Sequence, residues 1–233
     1  MKRMTMPAVR RLTIVLAVLG PLAALGAAAC EAGAPRPAPA RPLPGPARSG
    51  TGSLRDALIG PADVPAGFTR TTQPPTEPHR GDPADCARRL DELETLPAAG
   101  AGVTEARVVY ATPGPFAMLQ EVLRDYADGR AAGVVTAAGA ALARCPRFTL
   151  SYADGTVITV SVAVRSASPE RVTAAVTAQA TGFSVAENLA VCRVGRVVVI
   201  LSHTGPEPPD LAETERLLGV AVDRLRQQGF TGS

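Results

Sequence analysis

The residues able to do chemistry in this chain are few, and their spacing excludes more than it offers. The cysteines are Cys30, Cys86, Cys145 and Cys192. No two form a C-x-x-C pair, and none joins a His at metal-ligand spacing. His79 falls in a Pro-rich loop and His203 at a strand end, more than a hundred residues apart. Folding could unite them, but two imidazoles without a third ligand make a poor zinc site, so no metal is expected. Asp91, Glu92 and Glu94 form a carboxylate run, expected to be solvated on a helix surface. The chain has no G-x-S-x-G elbow, no P-loop and no dinucleotide fingerprint. Its single lysine, Lys2, leaves no amine further on for a Schiff base, a Ser-Lys dyad or a phosphate-binding loop. The expectation is a protein without enzymatic activity and without a cofactor.

One set of polar side chains has a binding pattern. In RFTLSY, Phe148 and Leu150 alternate with Arg147, Thr149 and Ser151, and in the following TVITVSVAV, Val160 and Val162 alternate with Thr159 and Ser161. Thr177 and Gln179 continue the series. The predicted sheet then has one apolar and one hydroxyl-rich face. Such a face either meets water, as antiparallel sheets commonly do, or lines a cleft for a small ligand. If it is a cleft, Arg147, Thr149, Ser151, Thr159 and Ser161 are its binding residues.

The beginning of the chain sets the compartment. Lys2, Arg3, Arg10 and Arg11 precede the uncharged apolar run from Leu12 to Ala29, which ends on Ala27-Ala28-Ala29-Cys30. This is the pattern of an export signal. The cysteine after small residues resembles the lipobox of bacterial lipoproteins, where that thiol receives the lipid. Residues 1–29 are therefore expected to be removed and Cys30 to carry the membrane anchor. The rivals are a plain secretory cut and a retained helix, although Gly20-Pro21 interrupts a run shorter than the ~20 residues a span needs.

Cleavage also changes the charge. The precursor carries 24 basic and 21 acidic residues, a formal net charge of +3. Removing four basic residues leaves the mature chain at −1. No cationic surplus remains for phosphates, and with three Tyr and no Trp there is little surface for base stacking. Nucleic acid is not expected as a partner.

Residues 30–53, with APRPAPARPLPGPARSGTGS, read as a Pro-rich tether; polyproline II extends about 3.1 Å per residue. Residues 54–233 are enough for one domain with a substantial core. Short elements are predicted over Leu54 to Gly60 and Thr69 to Thr72. A helix should follow Asp82-Pro83, where Asp82 can cap and Pro83 can take the first helical position. It would bury Cys86, Leu90 and Leu93. A strand is predicted over Arg107 to Thr112. A helix from Phe116 to Asp128 would turn Leu119, Val122, Leu123 and Tyr126 inward, and an alanine-rich helix would end near Arg144 before Pro146.

The period then changes to two. Asp154-Gly155 and Val194-Gly195 mark hairpins, with a strand over Val172 to Thr181 between them. A last helix, Leu211 to Gln228, opens with Asp210 and Glu213 at capping-box spacing. The fold class expected is α+β: a single domain, an antiparallel sheet of about five strands, helices packed on one face.

In an oxidising compartment, with Cys30 lipidated, a Cys86 to Cys145 disulfide would tie the helical layer together. A closed loop of that size is worth roughly 4 kcal/mol. Cys192 is then a small buried hydrophobe or a reactive thiol. Without lipid on Cys30, Cys192 gains a possible partner.

LIGPADVPAGF, VVYATPGPF, LQEVLRDYADG, ALARCPRF, ADGT and LAVCRVGRVVVIL, spread over Leu54 to Gln228, together resemble the PknH-like extracellular sensor domains of actinobacteria. Those occur on membrane-anchored Ser/Thr kinases and as stand-alone lipoproteins. In the kinase domain, four cysteines make two disulfides around a cleft thought to bind a small ligand. Cys86 and Cys145 fit the longer bridge, and the second bridge lacks partners here. The resemblance implies a membrane-anchored, extracytoplasmic lipoprotein on the outer face of the cytoplasmic membrane, with a sensor or ligand-binding domain. Its partners would be the membrane through Cys30, an unknown small ligand and an envelope protein. The competing expectation is a carrier of lipid or another apolar molecule.

Overall fold

The computed structural model describes residues 53–73, 77–94, 102–114, 116–127 and 129–231. The expected signal, the tether and Cys30 lie outside these residues. Nine strands form one antiparallel sheet: β1 (Thr69–Thr71), β2 (His79–Asp82), β3 (Val103–Ala111), β4 (Met118–Tyr126), β5 (Arg147–Tyr152), β6 (Val157–Ala167), β7 (Arg171–Ala180), β8 (Phe183–Val194) and β9 (Val197–Gly205). Their spatial order is β1-β3-β4-β9-β8-β7-β6-β5-β2. The helices are α1 (Leu54–Ala57), α2 (Ala84–Glu94), α3 (Ala131–Arg144) and α4 (Leu211–Gln227).

The centre of the sheet is the meander β5 to β9, which alternation and turn residues made legible. Gly155, at φ 85°, closes β5 onto β6, and Gly195, at φ 58°, closes β8 onto β9. Both angles belong to the left-handed region where glycine is unstrained. The expectation of about five strands is corrected to nine, because β4, β3 and β1 extend the sheet beyond β9 and β2 adds to β5.

The segment expected as a helix from Phe116 to Asp128 is instead strand β4. Its apolar residues follow both rules at once. Leu119 and Leu123 pack on one face of the sheet, while Val122 and Tyr126 pack on the other. A strand covered on both faces has no reason to alternate, so i, i+3, i+4, i+7 spacing arises without a helix.

Helices cover both faces, which corrects the one-face arrangement. Val198 and Ile200 belong to a core with α2 and α3, whereas Val197, Val199 and Leu201 belong to a second core with α1 and α4. Asp210 caps α4 by accepting from the Ala212 amide at 2.9 Å. Asp82 lies in β2 rather than at a helix cap, and α2 begins at Ala84. There α2 presses closely on β2: a Cβ at Gly81 would overlap the Cβ of Ala87. A disulfide joins Cys86 of α2 to Cys145 at the end of α3, with the Cα atoms 5.5 Å apart.

Candidate functional site

The polar side chains of the meander share one face. Register pairs Arg147 with Ser161 and Thr149 with Thr159, and sets Ser151 opposite Val157. The rows continue into β7, where Ser161 pairs with Thr177 and Thr159 with Gln179. On the other side, β2 contributes Arg80 opposite Ser151 and Asp82 opposite Thr149. The intervening Phe148, Leu150, Ile158 and Val160 are buried in the opposite core, so side-chain alternation leaves the polar set outward. Arg147, Ser151, Arg80 and Asp82 are exposed, while Thr149, Thr159, Ser161 and Thr177 are half-buried.

Among the described residues this face is open, because α4 packs over β8 and β9 and no α1 or α4 residue joins the apolar side chains of β5 or β6. A polar step bounds it at β8. Asn188 donates to the Pro209 carbonyl at 2.9 Å and to Thr214 Oγ1 at 3.1 Å, and it accepts from Arg165 at 2.9 Å. His203 Nδ1 lies 3.0 Å from the same Thr214 hydroxyl, and its ring meets Phe68 edge-on. Burial holds the His203 pKa below its ordinary value.

The histidines are not united. His203 is on the α4 face, whereas His79 turns toward α2, with Nδ1 3.3 Å from the Glu77 carbonyl and the ring beside Tyr152. His79 Nε2 is 3.8 Å from Asp91 Oδ2, and both side chains are 1% exposed. Burial lowers the His79 pKa and pushes Asp91 up to about 7, so burial disfavours the charged form of both partners. Burial also raises Tyr152.

The carboxylate run is divided rather than solvated throughout. Glu92 faces outward to Arg88 at 2.7 Å and Arg89 at 3.1 Å. Asp91 and Glu94 are buried against the sheet. The signal for this was spacing: Asp91 and Glu94 stand four and seven residues after buried Ala87, on the same helical face. Beneath them, Gln120 donates to the Glu94 carbonyl at 2.7 Å and Arg124 to the Glu92 carbonyl at 2.8 Å. Two side chains of β4 thereby satisfy carbonyls in the last turn of α2.

On the other face, Glu121 accepts from the Ile59 amide at 2.7 Å, and Tyr110 donates to the Ile59 carbonyl at 3.0 Å. Enclosure pushes the Glu121 carboxyl up to about 8 despite that hydrogen bond. Cys192 is a buried thiol, pushed up to about 12 by burial, with the sheet between it and the disulfide. A thiol so protonated is a poor nucleophile. Among the described residues, no group of three or more His, Cys, Asp and Glu is placed to hold a metal ion.

The class these elements define is an α+β domain with a single nine-stranded antiparallel sheet, helices on both faces and one cystine joining two helices. The extracellular domain of PknH from Mycobacterium tuberculosis has a similar fold: TM-score 0.59 at 15% identity, covering 73% of this chain and 93% of that one. An uncharacterized protein, the Rv0999 ortholog from Mycobacterium smegmatis, matches at TM-score 0.41 and 15% identity, covering 75% of this chain and 97% of that one. No protein-family model matches the sequence, and no curated protein does.

Proposed function

We propose that this protein is an extracytoplasmic, non-catalytic binding domain, held to the membrane by lipid on Cys30 behind a Pro-rich tether. It takes a small polar ligand on the open face of β5, β6 and β7 and reports through a partner in the envelope. The observation that carries this reading is the registered polar surface of Arg147, Thr149, Ser151, Thr159 and Ser161. Hydroxyls supply donors and acceptors, and the guanidinium supplies a fixed positive charge for an anionic group.

Three observations support the setting. The fold is like that of a domain described as extracellular. The Cys86–Cys145 disulfide suits an oxidising compartment. No described helix is long and apolar enough to cross a membrane.

The test is a thermal-shift screen of the purified protein against sugars, amino acids, nucleotides and small organic acids. At least one polar compound should raise the melting temperature, and that shift should vanish in R147A/T159V. A shift retained in full by the double variant would place binding elsewhere and overturn the proposal.

A further inference from the structure

A bulge in β6 sends one arginine across the sheet. The β6–β7 register passes from Val164↔Ala174 to Ser166↔Thr173, so Arg165 is the extra residue, without a cross-strand partner in β7. A bulge of this kind re-aims a side chain. Val164 packs against the core shared with α2 and α3, which puts Arg165 on the opposite, open face. From there Arg165 Nη1 donates to Asn188 Oδ1 of β8 at 2.9 Å, two strands away. Its stem therefore crosses β7, a span of about 10 Å at ordinary strand spacing. The residue between Ala163 and Asn188 in register is Ala175, whose methyl group leaves room for that crossing.

Asn188 is a rigid anchor for this arginine. It is buried, and its Nδ2 donates to the Pro209 carbonyl at 2.9 Å and to Thr214 Oγ1 at 3.1 Å, at the start of α4. A guanidinium only donates and a carbonyl only accepts, so both neighbours fix the same orientation of the amide. One side of the Arg165 guanidinium is thus held, while the residue as a whole is exposed. Among the described residues no carboxylate pairs with Arg165, and its Nε and Nη2 make no hydrogen bond. That remaining edge matches the two oxygens of a carboxylate. Arg171, further along β7, is instead taken by Glu215 of α4. In the row beside Ala175 stand Ser161 and Thr177, paired in register. Among the described residues, the charged side chains that β2, β5 and β6 turn to this face are Arg80, Arg147 and Arg165 against one acid, Asp82.

We propose that Arg165 is the anion anchor of the open face and that the ligand it takes is a small hydroxylated carboxylate, of the sugar-acid class. The carboxylate bridges Nε and Nη2, and the ligand's hydroxyls meet Ser161 and Thr177. This rests on the proposed use of the face for a polar ligand, and it adds the charge and chemical class of that ligand. One guanidinium edge balances one negative charge, which fits a carboxylate better than a phosphate carrying nearly two.

The test is an NMR titration of the whole protein with glucuronate, with glucose as its neutral counterpart and sodium chloride at matched ionic strength. Glucuronate should shift the amides of residues 161–165 and 175–177 saturably, and glucose and chloride should not. R165A, a change at an exposed position, should weaken glucuronate binding by about tenfold or more, the loss expected of a charge-assisted pair. R165K keeps the charge without the fork and should fall between R165A and wild type. No saturable shift with glucuronate, equal binding of glucose, or full retention of binding in R165A would overturn the inference. The reading of the face itself is judged apart: a neutral compound that binds the wild type and is lost in R147A/T159V keeps that reading while this one fails.

Discussion

Glu121 is a carboxyl placed where water cannot reach, and replacing it by glutamine isolates what that enclosure does to stability. Its pKa is about 8 in the folded protein against 4.5 ordinarily. A folded-state pKa raised in this way gives stability that is fully present below the ordinary value and is lost as pH rises through about 8. At about 1.4 kcal/mol per unit, this group alone lowers the unfolding free energy by roughly 3 kcal/mol between pH 5 and pH 8. Glutamine retains an oxygen for the Ile59 amide and removes the titration. The assay is urea denaturation of wild type and E121Q at intervals across that range, with the disulfide intact. The two should converge near pH 5 and diverge steadily, with the variant more stable at pH 8. Parallel curves over the whole range would show instead that Glu121 ionises without cost and is hydrated in solution.

Other perturbations have equally specific outcomes. Removing the bridge in C86A/C145A frees a loop of 59 residues' separation and should cost roughly 4 kcal/mol in urea unfolding. In the unreduced protein, Cys86 and Cys145 should both resist alkylation. G81A drives a methyl group into Ala87 between β2 and α2, and should lower stability by about 1–3 kcal/mol while leaving the β8–β9 amides protected. Palmitate fed to the host should label the wild-type protein and leave C30A unlabelled; equal labelling would move the anchor elsewhere.

The elements legible from sequence were those with one environment per face. Strands β5 to β7 alternate apolar with polar or small residues, β9 is an unbroken apolar run after the Val194-Gly195 turn, and α4 carries its own cap at Asp210. What failed was two-sided burial with polar side chains among the apolar ones. In β4, Gln120, Glu121, Arg124 and Asp125 are all buried, each serving a partner far away in sequence: the Glu94 carbonyl, the Ile59 amide, Glu105 and Arg196. A polar residue beside an apolar one then looks like the outer face of a helix. The same cause hid Asp91 and Glu94, whose inward positions follow from helical spacing but contradict their charge. The candidate binding face was visible because hydroxyls repeat at every second residue. Arg80 and Asp82 joined it only through the pairing of β2 with β5, which local sequence does not announce.

Whether the open sheet face holds a small polar ligand is decided by native mass spectrometry of the protein purified from its own host, beside R147A/T159V prepared identically. A small polar adduct is expected on the wild-type protein and none on the variant. A noncovalently bound lipid, or the same adduct on both proteins, would contradict it.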